Sequence, residues 1–180
     1  MNNIVTINIL RFTILVFVQV LILNNINFLG YINPYVYILF ILLYPIKNNR
    51  LLFIFISFLL GLFVDFFLDS GGVNAAACVT VAYMRPLILK FSFGMTYEHQ
   101  TVKFNNTEFV QRLTYFTILI FIHHTVLFSL EVFNISNLLL ILKKSTFSSV
   151  FTVLLCLLIA IIFSHKRTWE DYYCFQSWSW

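Results

Sequence analysis

The sequence predicts an all-α polytopic membrane protein with about six transmembrane helices. Three observations carry that prediction. First, hydrophobic residues make up 61% of the 180 residues and charged residues only 10%, against about 45–50% and about 25% in an ordinary soluble domain. Second, the apolar residues gather in runs close to the roughly 20 residues that one membrane span requires. Third, those runs are separated by short polar links and by Pro or Gly. A chain of this composition cannot cover its own surface with polar groups, which excludes a soluble globular protein and a disordered one. Five Gly and three Cys exclude a collagenous or disulfide-rich chain.

The first apolar run, 4–23, lacks a small-residue cleavage pattern and reads as a transmembrane helix rather than a signal peptide. After the link 24–27 a second run covers 28–46, with Pro34 near its start and Pro45 near its end, positions where proline is tolerated or stops a helix. The polar turn 47–50 leads to a third run, 51–68. Asp69-Ser70-Gly71-Gly72 breaks it. The fourth run, 73–93, contains Arg85-Pro86. A polar stretch, 94–112, reads as a loop or interfacial helix. The fifth and sixth spans are expected at 113–133 and 147–164. The apolar segment 135–142 is too short to span and is expected in the interface or as an extension of a neighbouring helix. A polar, aromatic tail, 165–180, closes the chain.

Six spans put both termini on one side. With that side cytoplasmic, seven of the eleven basic residues (Lys47, Arg50, Lys90, Lys103, Arg112, Lys166 and Arg167) lie inside and two (Lys143 and Lys144) outside. The positive-inside rule therefore favours cytoplasmic termini. The net charge of +4 is accounted for by loop retention and anionic lipid, so no nucleic-acid partner is expected. Cys78 and Cys156 fall in spans and Cys174 in the tail, which gives no disulfide framework. The tail's Trp169, Tyr172, Tyr173, Phe175, Trp178 and Trp180 beside Lys166-Arg167 read as an interfacial anchor, with a docking peptide as the sharper alternative.

The informative residues are the polar groups inside spans, because burying them in hydrocarbon is costly. They are Arg11, Gln19, Asp65, Asn74, Arg85, His123 and His124. Arg11 can snorkel to the headgroups. Asp65 and Asp69 form an i,i+4 pair that could hold a cation, although capping of a solvated helix end is the simpler reading. Pro86 leaves a carbonyl unpaired about one turn back, a group that Arg85 could bond. Adjacent His123 and His124 point about 100° apart on a helix and do not share one metal, so packing or interhelical hydrogen bonding is expected. Gly61 permits close helix approach, Gly71-Gly72 a tight hairpin, and Ala75-Ala76-Ala77 close packing of the following helix. No nucleophile elbow, zinc-protease, phosphate-loop or Cys-x-x-Cys pattern is present. No enzymatic activity, cofactor or metal is expected.

The hairpin and its flanks resemble the MreD family of rod shape-determining membrane proteins. The resemblance rests on Gly61-Leu62 with Asp65, Gly71-Gly72, Asn74-Ala75-Ala76-Ala77 and Ala82-Tyr83-Met84-Arg85-Pro86. Gln19-Val20-Leu21, Phe28-Leu29-Gly30 and Pro34 add to it, so it covers roughly residues 10–95. Asn74 stands where relatives often carry His. The resemblance implies a non-enzymatic scaffold of cell-wall elongation in the bacterial inner membrane. It implies binding to a bitopic MreC-type partner, and through it to the actin-like MreB filament, a SEDS glycosyltransferase and a transpeptidase. Gly61, Asp65, Gly71, Gly72, Asn74, Arg85 and Pro86 are the expected partner-binding or structural hairpin residues. The family is also similar in fold to the substrate-binding subunits of energy-coupling vitamin transporters, which supplies the alternative of a small-solute binding subunit. In that reading Arg11, Arg85 and the histidine pair would line a polar cavity.

Overall fold

A computed structural model describes residues 2–25, 33–44, 49–94, 109–132 and 138–176. Its elements are α1 (Asn2–Leu21), a single 3-10 turn (Leu23–Asn25), α2 (Ile38–Leu43), α3 (Arg50–Leu68), α4 (Val73–Phe93), α5 (Phe109–Val132) and α6 (Leu138–Gln176). Among the described residues there is no strand. Among the described residues four helices are long and apolar enough to cross a membrane: α3, α4, α5 and the Ile141–Ile161 part of α6. In α1 the apolar stretch is shorter, Asn8–Leu21.

The second apolar run departs from expectation. In place of a continuous helix over 28–46, the described part is helical only over the six residues Ile38–Leu43, preceded by non-helical backbone at 33–35 and a turn at 36–37. Hydropathy could not distinguish a run that faces lipid from one enclosed by protein, because both are apolar. Here it is enclosed: Tyr37, Ile38, Ile41 and Leu42 are wholly buried. Phe12 of α1 meets Phe40 edge-on at 5.5 Å between ring centroids, and Phe53 of α3 stacks on Tyr44 at 4.9 Å. The segment Tyr35–Tyr44 forms the axis of the bundle, and the longer helices surround it. Gly30 and Pro45 lie outside the described residues.

At the other end of the chain, the described part of the apolar segment 135–142 (138–142) is the start of α6, and that helix continues beyond 164 to Gln176. The expected polar tail is thus helical over its described part. Residues 177–180 lie outside the described residues.

α3 and α4 form an antiparallel hairpin whose ends follow from local chemistry. The Asn49 side chain accepts the Leu51 N–H at 3.2 Å and starts α3. Asp69 takes a left-handed conformation (φ 53°) and returns its N–H to the Asp65 carbonyl, which ends α3. Gly72 (φ 94°) makes the reversal that a Cβ would strain. One turn before Asp65 the helices touch backbone to backbone: a Cβ added at Gly61 would lie 2.4 Å from Ala75 Cα. The outward surface of the bundle is apolar, led by Leu51, Phe55, Phe63, Phe66, Leu87, Phe91, Leu154 and Leu158. An aromatic and aliphatic exterior over an apolar core that also buries Gln19, Asp65, Asn74, Arg85, His123 and His124 suits a hydrocarbon solvent.

Candidate functional site

Asp65 sits one turn before the end of α3 and is only 5% exposed. Its carboxylate accepts four hydrogen bonds. Oδ1 takes the Ser70 hydroxyl, the Asn74 backbone N–H (3.0 Å) and the Asn74 side-chain amide (2.9 Å), and Oδ2 takes the Ala75 N–H at 2.7 Å. Those backbone donors belong to the first turn of α4, whose own N-cap, Gly72, has no side chain to offer. One helix thus supplies the cap of the next, and its negative charge lies at the positive end of the α4 dipole. The alternative that Asp65 and Asp69 share a cation is corrected here. Asp65 points inward with both oxygens engaged, whereas Asp69 is the exposed αL residue of the turn.

Asn74 passes the connection inward. Its side-chain oxygen accepts from Tyr37 Oη at 2.8 Å, and Tyr37 Oη lies 2.8 Å from His123 Nε2. The hydroxyl has one proton, which goes to Asn74, so His123 Nε2 must carry a hydrogen and donate to Tyr37. The chain Asp65–Asn74–Tyr37–His123 therefore has every donor directed towards the carboxylate. It joins α3, α4, the segment before α2, and α5.

His124 uses the other tautomer. Its Nδ1 lies 2.8 Å from the Ile120 carbonyl and must donate to it, which leaves Nε2 to accept from Thr152 Oγ1 at 3.3 Å. Thr152 in turn accepts the Tyr35 N–H at 3.3 Å. Gln19 of α1 completes this end of α2: its Oε1 accepts the Val36 and Tyr37 N–H groups (2.8 and 3.4 Å), and its Nε2 donates to the Pro34 carbonyl at 3.0 Å. The adjacent histidines serve different helices, as their angular offset on α5 requires.

Arg85 performs the matching task at the far end of α2. Only 3% exposed, it donates from Nη2 to the Leu42 carbonyl (3.2 Å) and to the Tyr44 carbonyl, and from Nε to Tyr115 Oη (2.8 Å). Tyr115 donates its own proton to Leu42 O at 3.2 Å, and the guanidinium carbon lies 4.9 Å from the centre of the Phe53 ring. Arg85 does bond free carbonyls, but those of α2, not the one released by Pro86 in its own helix. Near Pro86 it is Arg50, from the start of α3, that reaches the Tyr83 carbonyl at 3.4 Å and stacks over the Tyr83 ring at 5.1 Å.

The expected residues fall into separate places. Gly61, Asp65, Gly71, Gly72 and Asn74 build one hairpin end. Arg85 and the neighbouring Pro86 lie towards the opposite end of α4, and Arg11 is half-buried on α1. Arg85 bonds Tyr115, about two turns along α5 from His123, so Arg85 and the histidines do not line one shared cavity. Sequence reasoning missed Tyr37, Tyr115 and Thr152, which look like ordinary residues of apolar runs. Gln19 was visible as an amide deep in the first run, although its target was not. Among the described residues, no three His, Cys, Asp or Glu side chains gather as a metal set.

Fold and interior together define an all-helical polytopic membrane protein. No family model, curated protein or solved structure matches the chain.

Proposed function

We propose that the chain is a non-enzymatic membrane scaffold of the MreD type, which holds a bitopic MreC-type partner in the bacterial cytoplasmic membrane with both termini cytoplasmic. The observation that carries this reading is the hairpin. Among the residues on which the resemblance rests, Gly61, Asp65, Asn74 and Ala75 lock α3 to α4 through the Asp65 cap and the glycine contact, and Gly71 and Gly72 make the turn between them. A rigid element with an apolar exterior suits helix docking in lipid, where packing geometry rather than hydrophobic drive determines association. Through that partner the chain would belong to the assembly that contains the actin-like filament, the SEDS glycosyltransferase and the transpeptidase.

The test is co-purification of the tagged chain with the bitopic partner from membranes. Asp65→Ala and Gly72→Leu should reduce the recovered partner and round rod-shaped cells while the chain persists in the membrane. Full recovery and normal shape at unchanged membrane levels would refute the role of the hairpin.

One observation favours a second reading, a small-solute binding subunit. Gln19, Tyr37, Asn74, His123, His124 and Thr152 converge in one half of the bundle around α2. Saturable vitamin binding by the purified protein would support it. Against it, most of these groups already bond to each other or to backbone.

A further inference from the structure

Arg50 carries a charge that no neighbouring group neutralises. It is the first residue of α3 and is exposed. Its Nη2 donates to the Tyr83 carbonyl at 3.4 Å, and its guanidinium carbon lies 5.1 Å from the centre of the Tyr83 ring. Both of these partners are neutral. Among the described residues no carboxylate answers the charge. Asp65 and Asp69 stand at the other end of α3, at least about 22 Å along the helix. Glu131, at the end of α5, lies 3.9 Å from Lys144. The first turn of α3 holds no acidic residue, and the amino end of the helix is itself positive.

The charge also lies deep along the hairpin. Tyr83 stands midway between Val73 and Phe93, the ends of the apolar span α4. The Arg50 guanidinium is therefore level with the middle of α4, about 15 Å from its carboxyl end. The register of the two helices agrees. Gly61 touches Ala75, which places the start of α3 opposite Pro86. From there the Arg50 side chain reaches back towards Tyr83 instead of towards the end of α4. Around it the surface is apolar and outward-facing, with Leu51, Phe55, Tyr83 and Leu87 all exposed. A cation set against hydrocarbon at such a level is costly unless an anion or water accompanies it.

The surroundings specify the anion. A guanidinium offers several N–H donors in one plane, and only one bond of Arg50 goes to protein. A phosphate takes such donors in pairs. A free phosphate would leave Leu51, Phe55 and Leu87 uncovered, whereas a phospholipid brings acyl chains that cover them. Lys90 is exposed on the same stripe of α4, about two turns beyond Tyr83. Its charge favours a headgroup of net negative charge.

We infer that Arg50, seated on Tyr83, is a binding site for the phosphate of an acidic phospholipid, whose acyl chains lie on Leu51 and Phe55. The headgroup passes Lys90, and the phosphate is drawn about 10 Å inward of that residue. This site stands independently of the scaffold reading and of which face is cytoplasmic.

The test is native mass spectrometry of the full chain released from nanodiscs of equimolar phosphatidylglycerol and phosphatidylcholine. The wild type should retain phosphatidylglycerol about five-fold more often, the factor that one basic residue contributes at an anionic surface. Arg50→Gln should abolish the preference at unchanged helical content. Lys143→Gln, at the opposite end of the bundle, should keep it. Tyr83→Leu keeps the charge but removes its seat, and should weaken the preference; it decides the matter if Arg50→Gln does not fold. Equal retention of the two lipids by the wild type overturns the inference. So does a preference that survives both the Arg50 and the Tyr83 replacement. Loss of the retained lipid to added inorganic phosphate overturns it too, since the occupant is then a soluble anion.

Discussion

Asp65 acts as a cap from a distance. A helix N-terminus leaves backbone N–H groups without intrahelical partners, and α4 begins at a glycine that cannot supply one. Asp65→Ala should therefore cost about 3 kcal/mol, combining the loss of a cap with buried donors left unpaired. Asp65→Asn should cost less, because one acceptor oxygen survives. Reversible unfolding in mixed detergent measures both. Tyr37→Phe removes the link between Asn74 and His123. Its expected effects are a loss of about 1–3 kcal/mol and a mixed tautomer population at His123, seen in the imidazole nitrogen spectrum. These roles were only partly legible. Asp65, Asn74, Arg85 and His123 stand out in an apolar sequence because ionisable and amide groups are expensive there. Tyr37 does not, because a tyrosine in an apolar run has several uses and only the fold chooses among them.

Among the elements, the short helix α2 explains most of the buried polar groups. Helix ends and irregular backbone inside a membrane bundle must be bonded by protein, since each unsatisfied group costs several kcal/mol. Gln19 and Thr152 bond the entering backbone, and Arg85 with Tyr115 bonds the carbonyls at the exit. Arg85→Met should uncover those carbonyls and destabilise the protein by about 2–4 kcal/mol. Arg85→Lys should recover part of that loss, since an ammonium can reach a carbonyl but cannot bridge Leu42, Tyr44 and Tyr115 with one plane. The same unfolding assay ranks the two variants. Gly61→Val tests the other element contact. The added side chain meets Ala75 and Asn74 backbone, which cannot move aside cheaply, so the α3–α4 hairpin should open. Loss of cross-linking between cysteines placed at positions 58 and 79 would report it.

For the whole molecule, the charge distribution predicts orientation. Cysteines introduced at the two ends of α3, Asn49→Cys and Asp69→Cys, should differ in reactivity towards an impermeant thiol reagent on intact cells. Asp69→Cys should label and Asn49→Cys should not. The reverse pattern would invert the topology and remove support for cytoplasmic termini. The class of the protein follows from composition without any coordinates: a chain 61% hydrophobic and 10% charged must place its surface in lipid, and its runs of apolar residues mark the long helices α3, α4 and α5. The tight hairpin is legible too, because Gly and Asp at a turn have few other uses. Packing in three dimensions was needed to show that residues 33–44 of the second apolar run are enclosed by protein and only partly helical. It was also needed to show which oxygens Arg85 reaches and that the two histidines bond different neighbours, Tyr37 and Thr152. The physical reason is that hydropathy measures whether a residue avoids water. It does not register whether lipid or protein replaces that water, and partners distant in sequence meet only when the helices pack.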